Sequence, residues 1–443
     1  MENVKQFILS NNMFEEGDIV GVATSGGPDS MALLCKLREL SNEFGIEVIC
    51  VHVDHSIRDN SSEDAQFVMD FCKEKRIRAY KFRVDVKKLQ KEKCLSLEEA
   101  ARDARYGVFE QLFEKGIVTK IALAHHQQDQ AETVLLHLLR GAGLSGASGM
   151  KPVRDGKYVR PILDVSKDEI ELYLLQNDIP YVMDQSNLEN EFSRNFLRNV
   201  ILPQLNQRFP GCVNALYNFS KTCGDDEAFI SAQVPHDACL LRGKTVMIPV
   251  TYFLYPTALT TRMIFQALKK IKGERDVTRK HIEQIREIAK LENGKKLSLP
   301  NNVIVHKEYE YVTLTNDSIV ENQIDLPFKC GNFLILDKGV LSVHRTKNFS
   351  APKTLFLDWK KVPEGARWRF RQNGDVFEKF GGGTKKLKSY FVDKKIPSRI
   401  RGILPVLALG NQIFAIAGVE IANSVCLDQE TTTAFAINYS LNS

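Results

Sequence analysis

The stretch Ser25-Gly26-Gly27-Pro28-Asp29-Ser30 lies between an apolar run, residues 18–24, and a helix-patterned segment, residues 31–40. A strand, a glycine-rich turn and a helix N-terminus in this order form an anion site. The free N–H groups of the first helical turn and the positive end of the helix dipole both point at the turn. Adjacent glycines let the backbone approach phosphate oxygens with no Cβ in the way, and Pro28 suits a first helical turn.

This turn differs from the GxxxxGK(S/T) phosphate loop, because its glycines are adjacent and no lysine follows them. Asp29 stands in the place of that lysine, and its carboxylate would repel phosphate unless a cation lay between them. The combination therefore predicts a Mg²⁺–pyrophosphate clamp with Asp29 as the metal ligand. An ordinary βα turn with a Ser/Asp cap is the alternative that six residues alone leave open.

Length and composition exclude several classes of protein. A chain of 443 residues is too long for one core and predicts two or three domains. The first ten residues lack the pattern of a signal peptide, and no apolar run is long enough for a membrane span. The nine cysteines contain no CxxC pair, so neither a disulfide framework nor a zinc or iron–sulfur site is indicated. These features predict a cytoplasmic protein with no membrane contact.

Strand and helix patterns alternate through the first 200 or so residues and predict an α/β domain with a mainly parallel, Rossmann-like sheet. Strands are predicted near 46–53, 79–84 and 119–125, and helices near 61–76, 97–115 and 127–140. Because ligands bind at the carboxyl ends of such strands, we expect the Ser25 turn, His52 to His55 and His125-His126 to meet at one edge of the sheet.

The chain is predicted to divide into three domains at Pro210-Gly211 and near residue 350. Residues 1–211 form the α/β domain. Residues 212–350 form a mainly helical middle domain that turns to short strands after about residue 310. Residues 351–443 form a small α+β domain of strands around one helix.

Several charged residues are spaced to share a helix face. Asp129 and Glu132 lie three residues apart in a first helical turn, beside the strand-end pair His125-His126. Arg105 projects from a helix and could hold phosphate through its fork geometry. Arg194 and Arg198 lie one turn apart. Spacing alone leaves an alternative for each group: the acids at 129 and 132 could complement a helix dipole, the helix with Arg105 could carry an ordinary i,i+4 surface pair of Glu98 with Arg102, and the arginines at 194 and 198 could form a solvated basic face.

Basic charge is concentrated near the C-terminus. Residues 359–401 contain thirteen Lys and Arg against four Asp and Glu, an excess of nine, whereas the whole chain has a net charge of +5. The rest of the chain is therefore net acidic. Arginines alternate with aromatic residues at strand period in 367–371, and 381–388 is a glycine-rich basic turn. A solvated charge run is the usual reading of such a segment, but this interleaving suits backbone contact with structured RNA. The candidate RNA-binding residues are Arg367, Arg369, Arg371, Lys385, Lys386 and Lys388.

Taken together, the motifs resemble the tRNA(Ile)-lysidine synthetases, a family of PP-loop ATP pyrophosphatases. The matching segments occur in order across about 200 residues: SGGPDS at 25–30, EEAARDARY at 98–106, HHQQDQAET at 125–133, LLRGAGLSG at 138–146, RPIL at 160–163, and DQSN followed by RNFLR within 184–198. The family commonly has two acids where this chain has Gln128-Asp129. The basic segment resembles the C-terminal tRNA-binding domain of the longer members.

The resemblance implies a ligase that forms a carbon–nitrogen bond. The family attaches L-lysine to carbon 2 of the wobble cytidine of tRNA(Ile) with anticodon CAU, through an adenylated tRNA, and releases AMP and pyrophosphate. ATP and Mg²⁺ are the implied cofactors. Residues 25–30, Arg105 and His125 would bind ATP. Asp129, with Glu132, would orient the lysine amine and accept its proton. Arg198, assisted by Arg194, would bind the lysine carboxylate.

Two other functions remain open at this point. Another PP-loop tRNA enzyme, such as a thiolase, would generally need cysteine pairs that the chain lacks. A non-catalytic nucleotide- and RNA-binding protein would bind ATP without releasing pyrophosphate. A homodimer also stays open, because nothing in the sequence fixes the oligomeric state.

Overall fold

The computed structural model describes residues 1–54, 61–93, 95–182, 193–316, 323–335, 339–351 and 354–441. His55 and the DQSN motif at 184–187 lie outside these residues. The chain forms two compact units, Met1–Phe229 and Ile230–Ser443. The predicted division into three domains stays a prediction.

Strands and helices alternate in the first unit, as predicted. The elements are α1 (Val4–Ser10), β1 (Ile19–Ala23), α2 (Pro28–Phe44), β2 (Glu47–Asp54), α3 (Ser61–Glu74), β3 (Ala79–Arg83), α4 (Val86–Lys93), α5 (Leu97–Glu114), β4 (Lys120–Ala122), α6 (Gln127–Leu139), α7 (Leu144–Ala147), β5 (Val153–Arg154), β6 (Tyr158–Val159), α8 (Lys167–Gln176), α9 (Ser193–Phe196), a π-helical turn (Leu197–Ile201), α10 (Leu202–Arg208) and α11 (Cys212–Ala232).

The strands of this unit form one sheet in the order β3-β2-β1-β4-β6-β5. Neighbouring strands from β3 to β6 are parallel, and β5 is antiparallel to β6. The chain moves outward from β1 to β3 and then crosses to the other side at β4, so the strand order switches between β1 and β4. Ligands bind in the crevice at the carboxyl ends of the strands at such a switch. The turns after β1 and β4 flank that crevice.

Both faces of the sheet are covered. Val48 and Cys50 of β2 belong to a core shared with α2 and α8, whereas Ile49 and Val51 of the same strand belong to a core shared with α5. This alternation follows from the two-residue period of a strand. The result is the Rossmann-like α/β fold predicted from the sequence.

The second unit contains mostly short strands. Its elements after α11 are β7 (Leu240–Arg242), β8 (Thr245–Pro249), α12 (Thr257–Lys270), α13 (Arg279–Ile288), β9 (Lys296–Ser298), β10 (Ile304–Glu308), β11 (Tyr311–Thr315), β12 (Asp325–Pro327), β13 (Gly331–Ile335), β14 (Gly339–Thr346), β15 (Leu355–Leu357), β16 (Arg367–Arg369), β17 (Val376–Glu378), β18 (Thr384–Lys386), α14 (Leu387–Asp393), β19 (Val406–Leu409), β20 (Gln412–Ile416), β21 (Glu420–Ile421) and β22 (Ala434–Leu441).

A five-stranded antiparallel sheet, β7-β8-β11-β10-β9, shares one core with α12 and α13. The helices agree with the sequence prediction for this region. The β7–β8 hairpin lies within the stretch predicted to be helical. The chain turns back at Gly243, whose φ of +56° favours glycine, and this turn allows the two strands to pair. Two further sheets and α14 make up the C-terminal part, in agreement with the predicted α+β class.

Among the described residues, no helix has the length and apolar character needed to cross a membrane. Each cysteine in that part of the chain is a free thiol.

Candidate active site

The turn between β1 and α2 is held in shape by its own serines. The Ser25 N–H donates to Ser30 Oγ over 3.1 Å, and the Ser30 hydroxyl donates to the Gly27 carbonyl over 2.9 Å. Gly26 has φ +95°, a conformation that favours glycine, and a Cβ there would lie 3.3 Å from the Val68 side chain. The turn is therefore a preformed cradle that only a residue without a side chain can complete.

Three segments bring charge to this cradle. Asp29 lies in the first turn of α2, and Lys167, the first residue of α8, places its Nζ 2.6 Å from Asp29 Oδ1. His126 Nε2, at the start of α6, lies 3.8 Å from Asp29 Oδ2 and 3.6 Å from Asp129 Oδ2. The turns after β1 and β4 and the start of α8 thus meet at the carboxyl edge of the sheet.

The first turn of α6 fixes the position of Asp129. His126 is the N-cap residue of this helix, and its backbone N–H donates to Asp129 Oδ2 over 3.1 Å. The N–H of Gln128 donates to His126 Nδ1 over 3.3 Å. Gln128, where the family commonly has an acid, therefore contributes its backbone to the cap. Because Nδ1 accepts this bond, the ring proton lies on Nε2, the atom between the two aspartates.

Asp129 and Glu132 each pair with both Arg194 and Arg198, and we call these four residues the arginine–carboxylate cluster. Arg198 makes the shorter contacts: Nε to Glu132 Oε1 at 2.6 Å, and Nη2 to Asp129 Oδ1 and Glu132 Oε2 at 2.6 and 2.8 Å. Arg194 contacts Glu132 Oε2 at 3.0 Å and Asp129 Oδ1 at 3.3 Å. Glu132 is completely buried, and each arginine is about 30% exposed.

Contacts within the cluster and charges near it shift the pKa values of Asp129 and Arg198. Burial alone would raise the pKa of Asp129, but the surrounding cations lower it to about 2: His126 and His125 contribute wherever their rings are protonated, and Arg194 and Arg198 contribute throughout the pH range. Burial alone would lower the pKa of Arg198, but the hydrogen bond and charge of Glu132 raise it instead. Asp129 is therefore ionised at neutral pH and is a weak base in this arrangement, because an efficient general base has a pKa near the working pH.

Arg198 lies in the π-helical turn Leu197–Ile201, directly before Leu202-Pro203. Pro203 has no N–H to donate to the carbonyl four residues earlier, and its ring crowds that carbonyl. A wider π turn relieves the crowding, and such turns often occur at functional sites. The proline thus offers a local reason for the π turn in which Arg198 lies.

His125, in the turn between β4 and α6, accepts a hydrogen bond from Arg160. Arg160 Nε donates to His125 Nδ1 over 3.2 Å, and its Nη1 donates to the Lys151 carbonyl over 2.5 Å. Burial lowers the pKa of His125 to about 3 and that of Arg160 to about 10. His125 is therefore neutral at pH 7 and carries its proton on Nε2, because Nδ1 accepts from Arg160.

Arg105 on α5 has an unsatisfied donor. Its Nε is buried and has no hydrogen-bond partner among the described residues. Burial lowers the pKa of Arg105, and the nearby charges of Arg102 and Arg194 lower it further. A charged donor that is buried and unused suits a bound anion, because an unpaired buried donor is costly. This observation and the Gly26 cradle fit a bound polyphosphate.

Asp29 fits a magnesium site of the kind that uses few protein ligands. The described residues contain no group of three or more His, Cys, Asp or Glu side chains placed to hold a metal. Mg²⁺ commonly binds through one or two carboxylates, with substrate phosphates and waters as the other ligands. Asp29, at the mouth of a phosphate cradle, has the chemistry of that donor set.

The sequence missed two residues of this site. Lys167 was not predicted as a site residue, and Arg160 was named only as part of the RPIL motif. Both follow β6, whose carboxyl end lies at the same sheet edge as those of β1 and β4. Topology could have identified them, because every loop at that edge can reach the crevice.

Asp164, in the same loop after β6, is a half-buried acid. Its Oδ1 has no hydrogen-bond partner among the described residues, and burial raises its pKa to about 6. The unfolded pKa is about 3.9. The folded state therefore holds the proton more tightly, and ionisation destabilises the fold as the pH rises from about 4 to about 6.

We expect Asp164→Asn to raise the melting temperature at pH 7.5 and to leave it unchanged at pH 4. The gain is at most about 3 kcal/mol, since each unit of pKa shift corresponds to about 1.4 kcal/mol. Calorimetry of the full chain at both pH values measures this difference. Asp155→Asn, at an exposed position, is the control and should change neither value. An equal effect of Asp164→Asn at both pH values would contradict the assignment.

The predicted tRNA-binding residues differ in whether their side chains are paired within the fold or exposed. Arg369 donates to both oxygens of the buried Asp375, over 2.7 and 2.9 Å, and to the Gly410 carbonyl. Its guanidinium is therefore engaged within the fold. Arg367 pairs with Asp325, and Lys385 pairs with Asp393. The side chains of Arg371, Lys386 and Lys388 are exposed.

Comparison with known proteins agrees with this geometry. A family model described as a PP-loop domain matches residues 1–205, and one described as the TilS substrate C-terminal domain matches residues 366–437. The first unit is thus a PP-loop domain, a class whose members use ATP.

The relatives identify the family. A tRNA(Ile)-lysidine synthase from Clostridium perfringens is 33% identical over 99% of this chain and 98% of its own length. Another, from Clostridium tetani, is 31% identical over 96% of this chain and 95% of its own. Among solved structures, a U34-tRNA thiolase from Methanococcus maripaludis has a TM-score of 0.43 and 16% identity, over 50% of this chain and 78% of that one. The chain belongs to the tRNA(Ile)-lysidine synthase family.

Family membership confirms the resemblance seen in the motifs and the prediction that the chain is an enzyme. It does not favour the thiolase or the non-catalytic alternative. Family membership and the C-terminal domain imply that the substrate is a tRNA.

Proposed function

We propose that this protein attaches L-lysine to carbon 2 of the wobble cytidine of tRNA(Ile) with anticodon CAU, in the cytoplasm, using ATP and Mg²⁺ and releasing AMP and pyrophosphate. The observation that carries the proposal is the meeting of four segments at one crevice. The phosphate cradle, the start of α6, the start of α8 and the π-helical turn bring anion-binding and amine-binding groups to the same sheet edge.

The reaction needs activation because a ring carbonyl oxygen does not leave as hydroxide. ATP, when bound with Mg²⁺, supplies the adenylyl group that turns this oxygen into a leaving group. The N–H groups of Asp29 and Ser30 lie in the first turn of α2, where they have no partner within the helix, and they would hold phosphate oxygens. The Asp29 carboxylate would hold the Mg²⁺.

Arg105 and His125 would act on the α-phosphate. The unused Nε–H of Arg105 is a charged donor in a buried position, where it stabilises developing negative charge more than it would in water. His125 is neutral and would donate from Nε2 without giving up its proton. Arg160 fixes this tautomer through the bond to Nδ1.

The arginine–carboxylate cluster would bind the lysine substrate. Asp129 would orient the amine through its negative charge, and it could accept the amine proton only after its own pKa rose. L-lysine carries a carboxylate that can take the fork of Arg198 in place of Asp129. Loss of this arginine contact would raise the basicity of Asp129 as the substrate enters.

Pyrophosphate release tests this function. The purified protein should release pyrophosphate when ATP, Mg²⁺ and tRNA(Ile) are present, and it should form a lysine-bearing cytidine only when lysine is added, as shown by mass spectrometry of the digested tRNA. The same tRNA with uridine at the wobble position is the control and should not react. A product that contains sulfur would indicate a thiolase, and ATP binding without pyrophosphate release would indicate a non-catalytic protein.

The exposed lysines of the basic C-terminal segment would contact tRNA phosphates. Each phosphate contact contributes roughly 0.7 to 0.9 to the slope of log affinity against log salt. We expect Lys386→Ala with Lys388→Ala to flatten that slope by up to about 2, without changing the choice of cytidine, because phosphate contacts carry no base information. Filter binding over a salt series measures the slope.

The matched control for this pair is Lys290→Ala with Lys295→Ala, which removes the same charge from exposed positions elsewhere in the unit. The control slope should equal that of the wild type. Equal slopes for all three proteins would show that the C-terminal lysines form only a solvated surface.

A further inference from the structure

A lysine, Lys167, lies beside the phosphate cradle. The cradle sequence itself, residues 25–30, contains no cationic residue. Lys167 Nζ lies 2.6 Å from Asp29 Oδ1, and both side chains are about 30% exposed. The backbone of Lys167 is firmly placed, because Ser166 caps α8 and its hydroxyl accepts the Glu169 N–H over 3.3 Å. A flexible four-carbon side chain thus extends from a fixed point to the mouth of the cradle.

A polyphosphate site needs a positive charge near the outer phosphates, and Lys167 places one there. The common phosphate loop carries its lysine inside the loop sequence, where it reaches the outer phosphates. Here Asp29 takes that place, and its charge opposes the approach of a polyphosphate. Lys167 comes from a point 138 residues later in the chain and neutralises Asp29.

The other charged groups around Asp29 cannot take over this role. His126 Nε2 is 3.8 Å from the second oxygen of Asp29 and also lies against Asp129. Arg194 and Arg198 are engaged by Asp129 and Glu132. Lys167 pairs with Asp29 through one contact on a partly exposed side, and such a pair is weak enough to exchange partners.

We propose that Lys167 is a phosphate-binding residue that recognises the β- and γ-phosphates of ATP and the pyrophosphate product. It holds Asp29 in place while the cradle is empty. Asp29 would hold Mg²⁺ in the complex with ATP, and the ammonium group of Lys167 would then be available to the phosphate oxygens. This inference rests on the proposed use of ATP, but it does not depend on lysine transfer or on tRNA.

Calorimetric titration of the full chain with three ligands tests the inference. Lys167→Met keeps the length of the side chain and removes its charge. We expect it to weaken binding of Mg²⁺–pyrophosphate and Mg²⁺–ATP at least 10-fold and to leave AMP binding unchanged, because AMP lacks the outer phosphates. Lys167→Arg retains the charge and should recover most of the affinity, and Lys167→Gln is a second neutral variant.

The matched control is Lys93→Met, which unpairs another lysine–aspartate contact of the same unit, Lys93 to Asp103 at 2.5 Å. It should bind all three ligands like the wild type. Wild-type affinity of Lys167→Met for pyrophosphate would overturn the inference, and so would an equal loss for AMP and pyrophosphate, which would indicate a structural role. If pyrophosphate binding responds as expected but no lysine product forms, the proposed function fails and the inference stands.

Discussion

Asp29→Asn is expected to reduce pyrophosphate release by roughly two to three orders of magnitude, the effect of losing one preorganised charge-stabilising group. The substitution keeps the shape of the side chain and removes the charge that would hold Mg²⁺. Stability should change little, because Asp29 is about 30% exposed and ion pairs of this kind contribute little. Initial rates over a Mg²⁺ series, together with the melting temperature, measure both effects.

Asp103→Asn is the control for this experiment, since it also removes the acid of a lysine–aspartate pair in the first unit. Its rate should equal that of the wild type. Wild-type turnover by Asp29→Asn at low Mg²⁺ would rule out Asp29 as the metal ligand, and a large drop in melting temperature would indicate that the turn depends on its charge.

Arg198→Ala is expected to lower the free energy of unfolding of the first unit by about 3 kcal/mol, near the lower end of the range for breaking a buried ion pair. Glu132 is completely buried, so its charge would be left with Arg194 as its remaining cluster partner. Native-state hydrogen exchange of the amides in β1 and β4, in the full chain, measures this loss separately from the second unit.

Arg194→Ala is the matched comparison, because both arginines contact the same two carboxylates. Its contacts are longer, 3.0 and 3.3 Å against 2.6, 2.6 and 2.8 Å for Arg198. The loss should therefore be smaller, about 1 kcal/mol, the scale of an ordinary hydrogen bond. Equal losses for the two variants would show that the distances do not reflect the energetic order within the cluster.

The sequence predicted the parts of the site that depend on local pattern. The cradle at 25–30 and the strand-end histidines at 125–126 follow from strand–turn–helix order, and the parallel sheet follows from the alternation of strands and helices. The structure confirms the fold and places both segments at one edge. The roles of the individual residues stay predictions.

The sequence could not predict contacts between distant segments. Arg198 lies 66 residues from Glu132, and nothing in either helix pattern shows that the two meet. The arginines were therefore expected to serve the substrate alone, whereas here they also hold Asp129 and Glu132. The general-base role expected of Asp129 stays a prediction, and the surrounding charges that lower the pKa of Asp129 to about 2 mean that substrate binding would first have to raise that pKa.

The β7–β8 hairpin was missed for a different reason. The segment 240–249 contains a glycine turn, Arg242-Gly243-Lys244, between apolar residues. This is a hairpin signal, but the helical patterns on either side of it were extended across the segment.

The arginine–carboxylate cluster carries two positive and two negative charges in a partly buried site. Replacing any one of the four with a neutral residue leaves an odd charge that water cannot easily reach. In a lineage of such proteins, these positions are therefore hard to change one at a time. We expect substitutions at residues 129, 132, 194 and 198 to be inherited as compensating pairs, so the cluster should evolve as a single unit.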